Sequence, residues 1–172
     1  MHRVRGTNRA QSKNRGKLAP DRLWNSQGLT LLLADLKDAA VVKILVDTSF
    51  LMTAARFRIN AVQQLEQMLG GRVQPILLST VRFELNTIAS DRRAKRSKEA
   101  NLALELAKSF AVEEVSIGPD ESVDDTILRV ASERGIPVAT NDRRLRKRLD
   151  QATVATIYLR QRSRIEARGL AV

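Results

Sequence analysis

Four acidic residues lie where a predicted α/β sheet would gather them at one edge. Asp47 directly follows an apolar segment of strand length, and Asp142 follows another such segment after two polar residues. Glu84 lies in the helix entered from a predicted strand, and Asp124 lies in the first turn of a predicted helix. Because parallel α/β sheets place their sites beyond the carboxyl ends of the strands, we predict that all four carboxylates face the same edge.

Converging carboxylates repel one another, and a divalent cation relieves that repulsion. Two carboxylates about 5 Å apart repel by about 3 kcal/mol at an effective dielectric constant near 20. Such groups either raise their pKa values or bind a cation. The sequence has no cysteine and its single histidine is His2, so the ligands are oxygen atoms, which favours Mg²⁺ or Mn²⁺. Carboxylate-bound metals activate water and stabilise a leaving oxygen, so the composition points to phosphodiester hydrolysis.

Each acid taken singly also has a structural interpretation. Asp47 and Asp142 could each cap the helix that follows, and the other two acids could complement a helix dipole or lie on a solvated face. The spacing of Ser122 and Asp125 is that of a capping box. This spacing predicts that Asp125 is structural and that Asp124 is the freer carboxylate of the pair.

Length, composition and charge limit the classes of protein. A chain of 172 residues with 43% hydrophobic residues can bury one core without disulfides. The absence of cysteine and the position of the histidine argue against thiolate chemistry and a Ser–His triad. The net charge of +11 favours a polyanionic partner, with nucleic acid first and an anionic membrane surface second. No apolar run approaches the roughly 18 residues of a membrane span. We expect a cytoplasmic location, or a nucleolar one if the source is eukaryotic.

The alternation of apolar segments and helical periodicity predicts the fold class and the domains. Residues 1–40 are predicted to form a basic, disordered extension in which residues 22–40 could form a helix, and residues 41–172 the folded domain. Strands are predicted at 44–46, 75–78, 112–115, 136–139 and 154–158. Helices are predicted at 59–69, 80–89, 92–110, 123–134 and 143–149. This order predicts a three-layer α/β/α fold with a central, mostly parallel, five-stranded sheet.

The acidic segments resemble the motifs of the PIN-domain nucleases. The first motif is similar to residues 44–52, ILVDTSFLM, and the second acidic position to Glu84 in VRFELNTIA. The third and fourth motifs are similar to residues 124–142, DDTILRVASERGIPVATND. Two later stretches, VATNDRRLRKRL and TIYLRQRSRIE, resemble the branch of small-subunit processome endonucleases of ribosome assembly and their archaeal relatives.

The resemblance implies an activity, a metal and a set of site residues. It implies endonucleolytic cleavage of RNA that depends on Mg²⁺ or Mn²⁺, with rRNA or a ribosomal precursor as the favoured substrate, and it allows a homodimer. The catalytic and metal-binding acids are then Asp47, Glu84, Asp124 and Asp142. The supporting polar residues are Thr48, Ser49, Thr140 and Asn141. At Ser49 the processome branch usually has asparagine, and serine occurs elsewhere in the family.

Clusters of basic residues are predicted to contact RNA. Arginine dominates them, and its planar fork suits bidentate phosphate contact better than lysine does. A solvated helix face is the structural alternative for such a charge run. The cluster beside the fourth acid comprises Arg143, Arg144, Arg146, Lys147 and Arg148. An earlier cluster includes Arg92, Arg93, Lys95 and Arg96, and a third comprises Arg160, Arg162, Arg164 and Arg168.

The sequence leaves alternative functions open. A toxin-type PIN ribonuclease, held inactive by an antitoxin partner, would share the four acids. A non-catalytic RNA-binding ribosome-assembly factor would use the acids structurally only. A peripheral membrane protein is disfavoured because no helix pairs a basic face with a broad apolar one.

Overall fold

A computed structural model describes residues 41–91, 96–161 and 163–170 of the chain. The predicted extension at 1–40, with its predicted helix at 22–40, lies outside the described residues. The predicted RNA-binding residues Arg92, Arg93 and Lys95, and Arg162 of the third cluster, also lie outside them. Within the described residues, no helix is long and apolar enough to cross a bilayer.

Strands and helices alternate along the described chain. The strands are β1 (Val42–Val46), β2 (Val73–Leu78), β3 (Ala111–Glu113), β4 (Val138–Ala139), β5 (Thr156–Arg160) and β6 (Arg164–Arg168). The helices are α1 (Thr48–Phe57), α2 (Ala61–Leu69), α3 (Ser79–Ser90), α4 (Ser97–Leu106), α5 (Val123–Arg134) and α6 (Arg143–Gln151). A 3₁₀ turn at Ala107–Ser109 follows α4.

The predicted α/β class with a mostly parallel sheet is confirmed. The strand order is β3-β2-β1-β4-β5-β6, and only the β5–β6 pair is antiparallel. The predicted number of five strands is wrong, because the chain adds β6 at the edge. Only Ile165 is buried in this strand, and the turn before it is made by Gln161 with a φ of 51° rather than by glycine, proline or asparagine. Neither the strand nor its turn therefore has the usual sequence signal.

Two further predictions about helices need correction. Helix α1 was not among the predicted helices, although the capping interpretation of Asp47 required a helix there. The predicted helix at 92–110 is too long, since α4 covers Ser97–Leu106. Its end tightens into the 3₁₀ turn, in which the Phe110 amide donates to the Ala107 carbonyl at 3.0 Å. This tighter turn brings the chain to the edge of the sheet, where β3 begins at Ala111.

The topology creates a crevice at the centre of the sheet. Right-handed crossovers place α1–α4 on one face and α5–α6 on the other, which gives the predicted three layers. Consistently, α1 packs on α3 and α4, and α5 packs on α6. Strand β1 is central, and Ile44, Leu45 and Val46 are no more than 3% exposed, as a strand covered on both faces requires. The chain leaves β1 in one direction and returns to β4 on its other side, so the switch point lies between β1 and β4.

Candidate active site

The switch point brings the first and fourth acids together. Asp47 directly follows β1, and Asp142 begins α6 just beyond β4. The backbone amide of Asp47 donates to the Ala139 carbonyl at 3.0 Å, which extends the pairing of the two strands to their carboxyl ends. Residues separated by most of the domain therefore meet in the crevice where α/β sheets hold their ligands.

Asp47 is almost fully buried, and its hydrogen bonds fix one of its two oxygens. The side chain is the N-cap of α1, so its Oδ2 accepts from the Ser49 amide at 3.3 Å. The same oxygen accepts from Ser49 Oγ at 2.5 Å and from Thr140 Oγ1 at 2.7 Å. Within the described residues, all of these bonds go to Oδ2. Capping therefore leaves Oδ1 of this carboxylate for another ligand.

The Ser49 hydroxyl connects α1 to the loop after β4. Because its hydrogen goes to Asp47, its oxygen can accept, and it accepts from the amides of Asn141 at 2.9 Å and Asp142 at 3.1 Å. Thr140 Oγ1 likewise accepts from the Asp142 amide at 3.0 Å. The predicted supporting residues Ser49 and Thr140 thus hold the first and fourth acids in a fixed relation.

Asp142 is also a helix cap that uses only one oxygen. Its Oδ1 accepts from the amides of Arg144 at 2.6 Å and Leu145 at 3.1 Å, at the start of α6. Asn141 anchors the same loop, since its amide group donates to the Leu159 carbonyl at 3.0 Å and accepts from the Leu159 amide at 3.1 Å. The capping interpretation of Asp47 and Asp142 is confirmed, but it occupies only half of each carboxylate.

The second acid is joined to the first motif through Thr48. Glu84 lies in the second turn of α3, which starts directly after β2. Its Oε2 accepts a hydrogen bond of 2.5 Å from the Thr48 hydroxyl, and Thr48 is the first residue of α1. Thr48 is 5% exposed, so this bond lies at the buried side of the crevice. The predicted supporting role of Thr48 corresponds here to orienting Glu84.

Asp124 shares the electrostatic environment of the other three acids. Burial raises the pKa of its carboxyl group, and the charges of Asp47, Asp142 and Glu84 raise it further. Arg148 opposes this rise. Among the described residues, Asp124 forms no hydrogen bond or ion pair through its side chain. The fold therefore brings the four acids near one another and leaves the third carboxylate without a hydrogen-bond partner.

The neighbouring Asp125 is occupied structurally, as the sequence predicts. Ser122 and Asp125 form a complete capping box at the start of α5. Asp125 also pairs with Arg148, and these bonds hold the pKa of its carboxyl group far below the usual value. The ion pairs of the described residues include none of the four predicted catalytic acids. Arg148, predicted to bind RNA, therefore has an intramolecular partner.

The donor chemistry of the site fits a hard divalent cation. All four candidate ligands are carboxylates, and two of them keep one oxygen outside their helix caps. Oxygen ligands of this kind favour Mg²⁺ or Mn²⁺ over softer metals. In the described part of the chain, no three acidic or histidine side chains are grouped closely enough to hold one ion. A metal would therefore have to draw these carboxylates closer.

Basic side chains flank the acids on the α1 side. A cavity of about 360 Å³ is lined by Asp142 and Asn141 together with Arg56, Arg96 and Arg143. The predicted RNA-binding residues Arg96 and Arg143 thus stand beside the fourth acid. Arg56 was missed by the sequence analysis, although its spacing from Ser49 is two helical turns, which places both on one face of α1. Arg56 also pairs with Glu99 at 2.8 Å.

The other residues of the basic cluster beside the fourth acid lie on different faces of α6. Arg144 and Lys147 are exposed. Arg146 is half-buried, with its guanidinium 4.2 Å from the centre of the Tyr158 ring. In the described part of the chain, none of these three cations forms an ion pair with an acid, so α6 keeps their positive charges uncompensated.

Comparisons with known proteins place this geometry among related folds. The chain is 28% identical over 131 residues to ribonuclease VapC4 of Methanocaldococcus jannaschii, covering 74% of this chain and 98% of that protein. It is 27% identical over 120 residues to ribonuclease VapC9 of Archaeoglobus fulgidus, covering 70% of this chain and 84% of that protein. The solved PIN domain endonuclease Utp24 has a TM-score of 0.61 at 21% identity, covering 74% of this chain and 92% of that chain.

A second solved structure has the same fold. It is a domain of a functionally unknown protein from Methanocaldococcus jannaschii, with a TM-score of 0.51 at 18% identity, covering 70% of this chain and 92% of that chain. The sequence profile of the family described as a PIN like domain matches residues 44–162, which include all four acids and their polar supports. The chain therefore belongs to the PIN-like domain family, as its acidic motifs predict.

Proposed function

We propose that the protein is a metal-dependent endoribonuclease that hydrolyses RNA phosphodiester bonds, with rRNA or a ribosomal precursor as its substrate. The observation that carries this proposal is the hydrogen-bond network that holds Asp47, Asp142 and Glu84 at one edge of the sheet, where their charges and burial raise the pKa of the half-buried Asp124. Such mutual repulsion is costly unless a cation or proton neutralises it. The similar proteins named ribonuclease VapC4 and VapC9 support RNA as the substrate class.

The contacts of the four acids indicate which role each would have in a metal-dependent reaction. A bound Mg²⁺ or Mn²⁺ supplies an activated water and neutralises charge on the phosphate. Asp47 and Asp142 offer the oxygens that their helix caps leave over, and Asp124 offers a carboxylate without a hydrogen-bond partner. Glu84, held by the Thr48 hydroxyl, acts as a ligand or orients the attacking water.

Water, rather than a side chain, is the nucleophile in this proposal. The hydroxyls of Thr48, Ser49 and Thr140 each donate their hydrogen to one of the acids. The Ser49 oxygen also accepts from two backbone amides. A hydroxyl engaged in this way has no free lone pair directed at a substrate, and no histidine of the described residues stands beside it as a base. Direct hydrolysis follows, without a covalent intermediate.

A cleavage assay with neighbouring substitutions tests the proposal. Structured rRNA fragments are incubated at low salt with Mn²⁺ and the wild-type chain, Asp47→Asn, Asp124→Asn or Asp125→Asn. We expect wild-type cleavage that EDTA abolishes, a loss of about 100-fold or more for the first two variants, and retained cleavage for Asp125→Asn. Binding without cleavage by the wild type, or equal cleavage by all variants, would instead indicate a non-catalytic RNA-binding assembly factor.

A second candidate, the toxin-type ribonuclease with an antitoxin partner, has a specific observation in its favour. Glu84 lines an apolar groove of about 560 Å³ in which Phe83 is 75% exposed and Ile117 is 52% exposed. Exposed apolar surface of this kind often marks a protein contact. A toxin would arrest growth when expressed alone, and Asp47→Asn would relieve the arrest. Normal growth of cells that express active wild-type protein would count against this candidate.

A further inference from the structure

A second positive pocket lies along α6, apart from the four acids. Its volume is about 220 Å³, and its charged and aromatic lining residues are Arg143, Arg146, Lys147, Asp150, Tyr158 and Arg168. Three of the cations come from one helix at spacings of three and four residues, which places them on a single helical face. The fourth comes from β6, the edge strand that the sequence did not predict.

The positive charge of this pocket is poorly compensated. Of the four cations, only Arg168 has an acidic partner among the described residues, Asp150 at 3.9 Å. Both side chains of that pair are more than half exposed, so the pair screens the other cations weakly. Four positive groups facing one acid in a concave surface create a local field that attracts anions.

Arg146 is held in place as a recognition group. Its guanidinium lies 4.2 Å from the centre of the Tyr158 ring, and the Tyr158 hydroxyl donates to Glu166 at 3.1 Å, which fixes the ring. Arg146 Nε is buried and has no hydrogen-bond partner in the described part of the chain. Arg146 lines the pocket and has no acidic partner among the described residues, so an anion bound there would neutralise its charge. Stacking also reduces the side-chain entropy lost on binding.

The pocket and the cavity beside the fourth acid share one lining residue, Arg143. Because a helix rises about 1.5 Å per residue, Arg146 and Lys147 lie about 6–8 Å along the α6 axis from Asp142. An offset of this size lets one RNA strand contact both the pocket and the acidic site.

We propose that this pocket binds a phosphate of the RNA strand that occupies the acidic site, a few nucleotides from the cleaved bond. The inference rests on the proposed function for the identity of the strand. The chemistry it requires is a phosphate group, and either an internal phosphodiester or a terminal phosphomonoester could supply it. Arg146 is a positioning residue in this role, because it does not contact the reacting atoms.

Binding measured in EDTA tests the pocket independently of cleavage. The titrations use the full chain and short single-stranded RNA over a range of salt concentrations, with Arg146→Gln, Arg146→Lys, Lys147→Gln and a matched control, Arg72→Gln. Arg72 is exposed and precedes β2, which β1 and β4 separate from the pocket strands β5 and β6, so its loss removes the same charge away from the pocket. A circular dichroism melt of each variant checks folding, and Lys147, being exposed, can be replaced without disturbing the core.

We expect Arg146→Gln to weaken binding about tenfold and to lower the salt slope by about 1, with a smaller loss for Lys147→Gln and little change for Arg72→Gln. Arg146→Lys should lose a similar part of the affinity but keep the wild-type salt slope, since lysine keeps the charge but loses the stacked, planar fork. Equal losses for Arg146→Gln and Arg72→Gln, or full binding by Arg146→Lys, would overturn the proposal.

A further arm identifies the source of the phosphate. The titrations are repeated with RNA that carries either a 5′-phosphate or a 5′-hydroxyl. An Arg146 effect of the same size for both supports an internal phosphodiester, and an effect confined to the phosphorylated RNA supports a terminal phosphate. If this pocket fails the test while wild-type cleavage in Mn²⁺ remains, only this inference is lost. If cleavage fails while the Arg146 effect remains, only the nuclease proposal is lost.

Discussion

Two adjacent aspartates should respond in opposite directions to the same substitution. The charges of three other carboxylates act on Asp124, which has no hydrogen-bond partner among the described residues, whereas Asp125 is bonded to Ser122 and Arg148. Replacing either by asparagine removes one negative charge and changes the side-chain volume very little. In metal-free buffer, we therefore expect Asp124→Asn to raise the free energy of unfolding and Asp125→Asn to lower it.

The size of the gain at Asp124 follows from its surroundings. Two like charges about 8 Å apart repel by about 2 kcal/mol at an effective dielectric constant near 20. Water screens a half-exposed carboxylate, and the substitution also removes the attraction to Arg148. We therefore expect a net gain of about 1 kcal/mol for Asp124→Asn at neutral pH and low salt, measured as a shift of the urea midpoint without a change in m-value.

The pH dependence of the gain has a definite sign. A carboxyl group whose pKa is raised by folding binds protons more tightly in the folded state, so it destabilises the protein at neutral pH. As pH falls through the folded pKa toward the unfolded value of about 3.9, this destabilisation disappears. The stability difference between Asp124→Asn and the wild type should therefore shrink on acidification. A difference that stays constant or grows would contradict the electrostatic explanation.

Divalent metal should reverse the order of stability. A ligand that binds only the folded state stabilises it by about 2.7 kcal/mol when its concentration is 100 times its Kd. Mn²⁺ should therefore raise the unfolding midpoint of the wild type and of Asp125→Asn, but raise that of Asp124→Asn much less. Equal stabilisation of all three proteins by Mn²⁺, or destabilisation by Asp124→Asn in metal-free buffer, would refute the reasoning.

Three further substitutions and one control, Thr53→Ala, test the polar network of the site, each by urea unfolding and by cleavage in Mn²⁺. Ser49→Ala leaves the Asn141 amide without its acceptor, leaves the Asp142 amide with Thr140 Oγ1 alone and removes a hydrogen bond to Asp47, so it should cost about 2 kcal/mol. Thr53→Ala, which removes one bond within a helix, should cost less than about 1 kcal/mol. Equal losses would contradict the connecting role of Ser49. Asn141→Ala breaks the two hydrogen bonds to the Leu159 backbone and should lower the free energy of unfolding by about 1–2 kcal/mol. An unchanged urea midpoint would show that β5 does not hold this loop. Asp142→Asn should change the free energy of unfolding by less than about 0.5 kcal/mol, because asparagine caps a helix equally well. The same substitution should lower the cleavage rate by about 100-fold. A retained cleavage rate would show that Asp142 is not a metal ligand.

Local patterns in the sequence predicted the interior of the fold well and its margins poorly. The central strands are short runs of apolar residues, and the Ser122–Asp125 spacing marked both the start of α5 and the structural role of Asp125. Strand β6 escaped prediction because a single buried residue, Ile165, gives no alternation. A strand at the edge of a sheet is defined by its partner more than by its own residues.

The sequence nominated the four acids of the candidate site but did not predict their contacts. The four acids follow predicted strands or open predicted helices, and their convergence follows from topology. In Asp47 and in Asp142, one carboxylate oxygen caps a helix and the other does not, and only atomic distances show this. Neither spacing nor residue type indicates that Ser49 accepts two amides from a loop more than 90 positions away.

The sequence by itself determined the fold class, the oxygen-only chemistry of the acids and the excess of positive charge, because each of these depends on residue types and local periodicity. Tertiary structure decided which arginines remain unpaired. Arg148 and Arg146 are two residues apart on the same basic helix, yet one pairs with Asp125 and the other stacks on Tyr158. Their contacts differ because nearby positions of a helix point in different directions, and the residues that they contact come from distant parts of the chain.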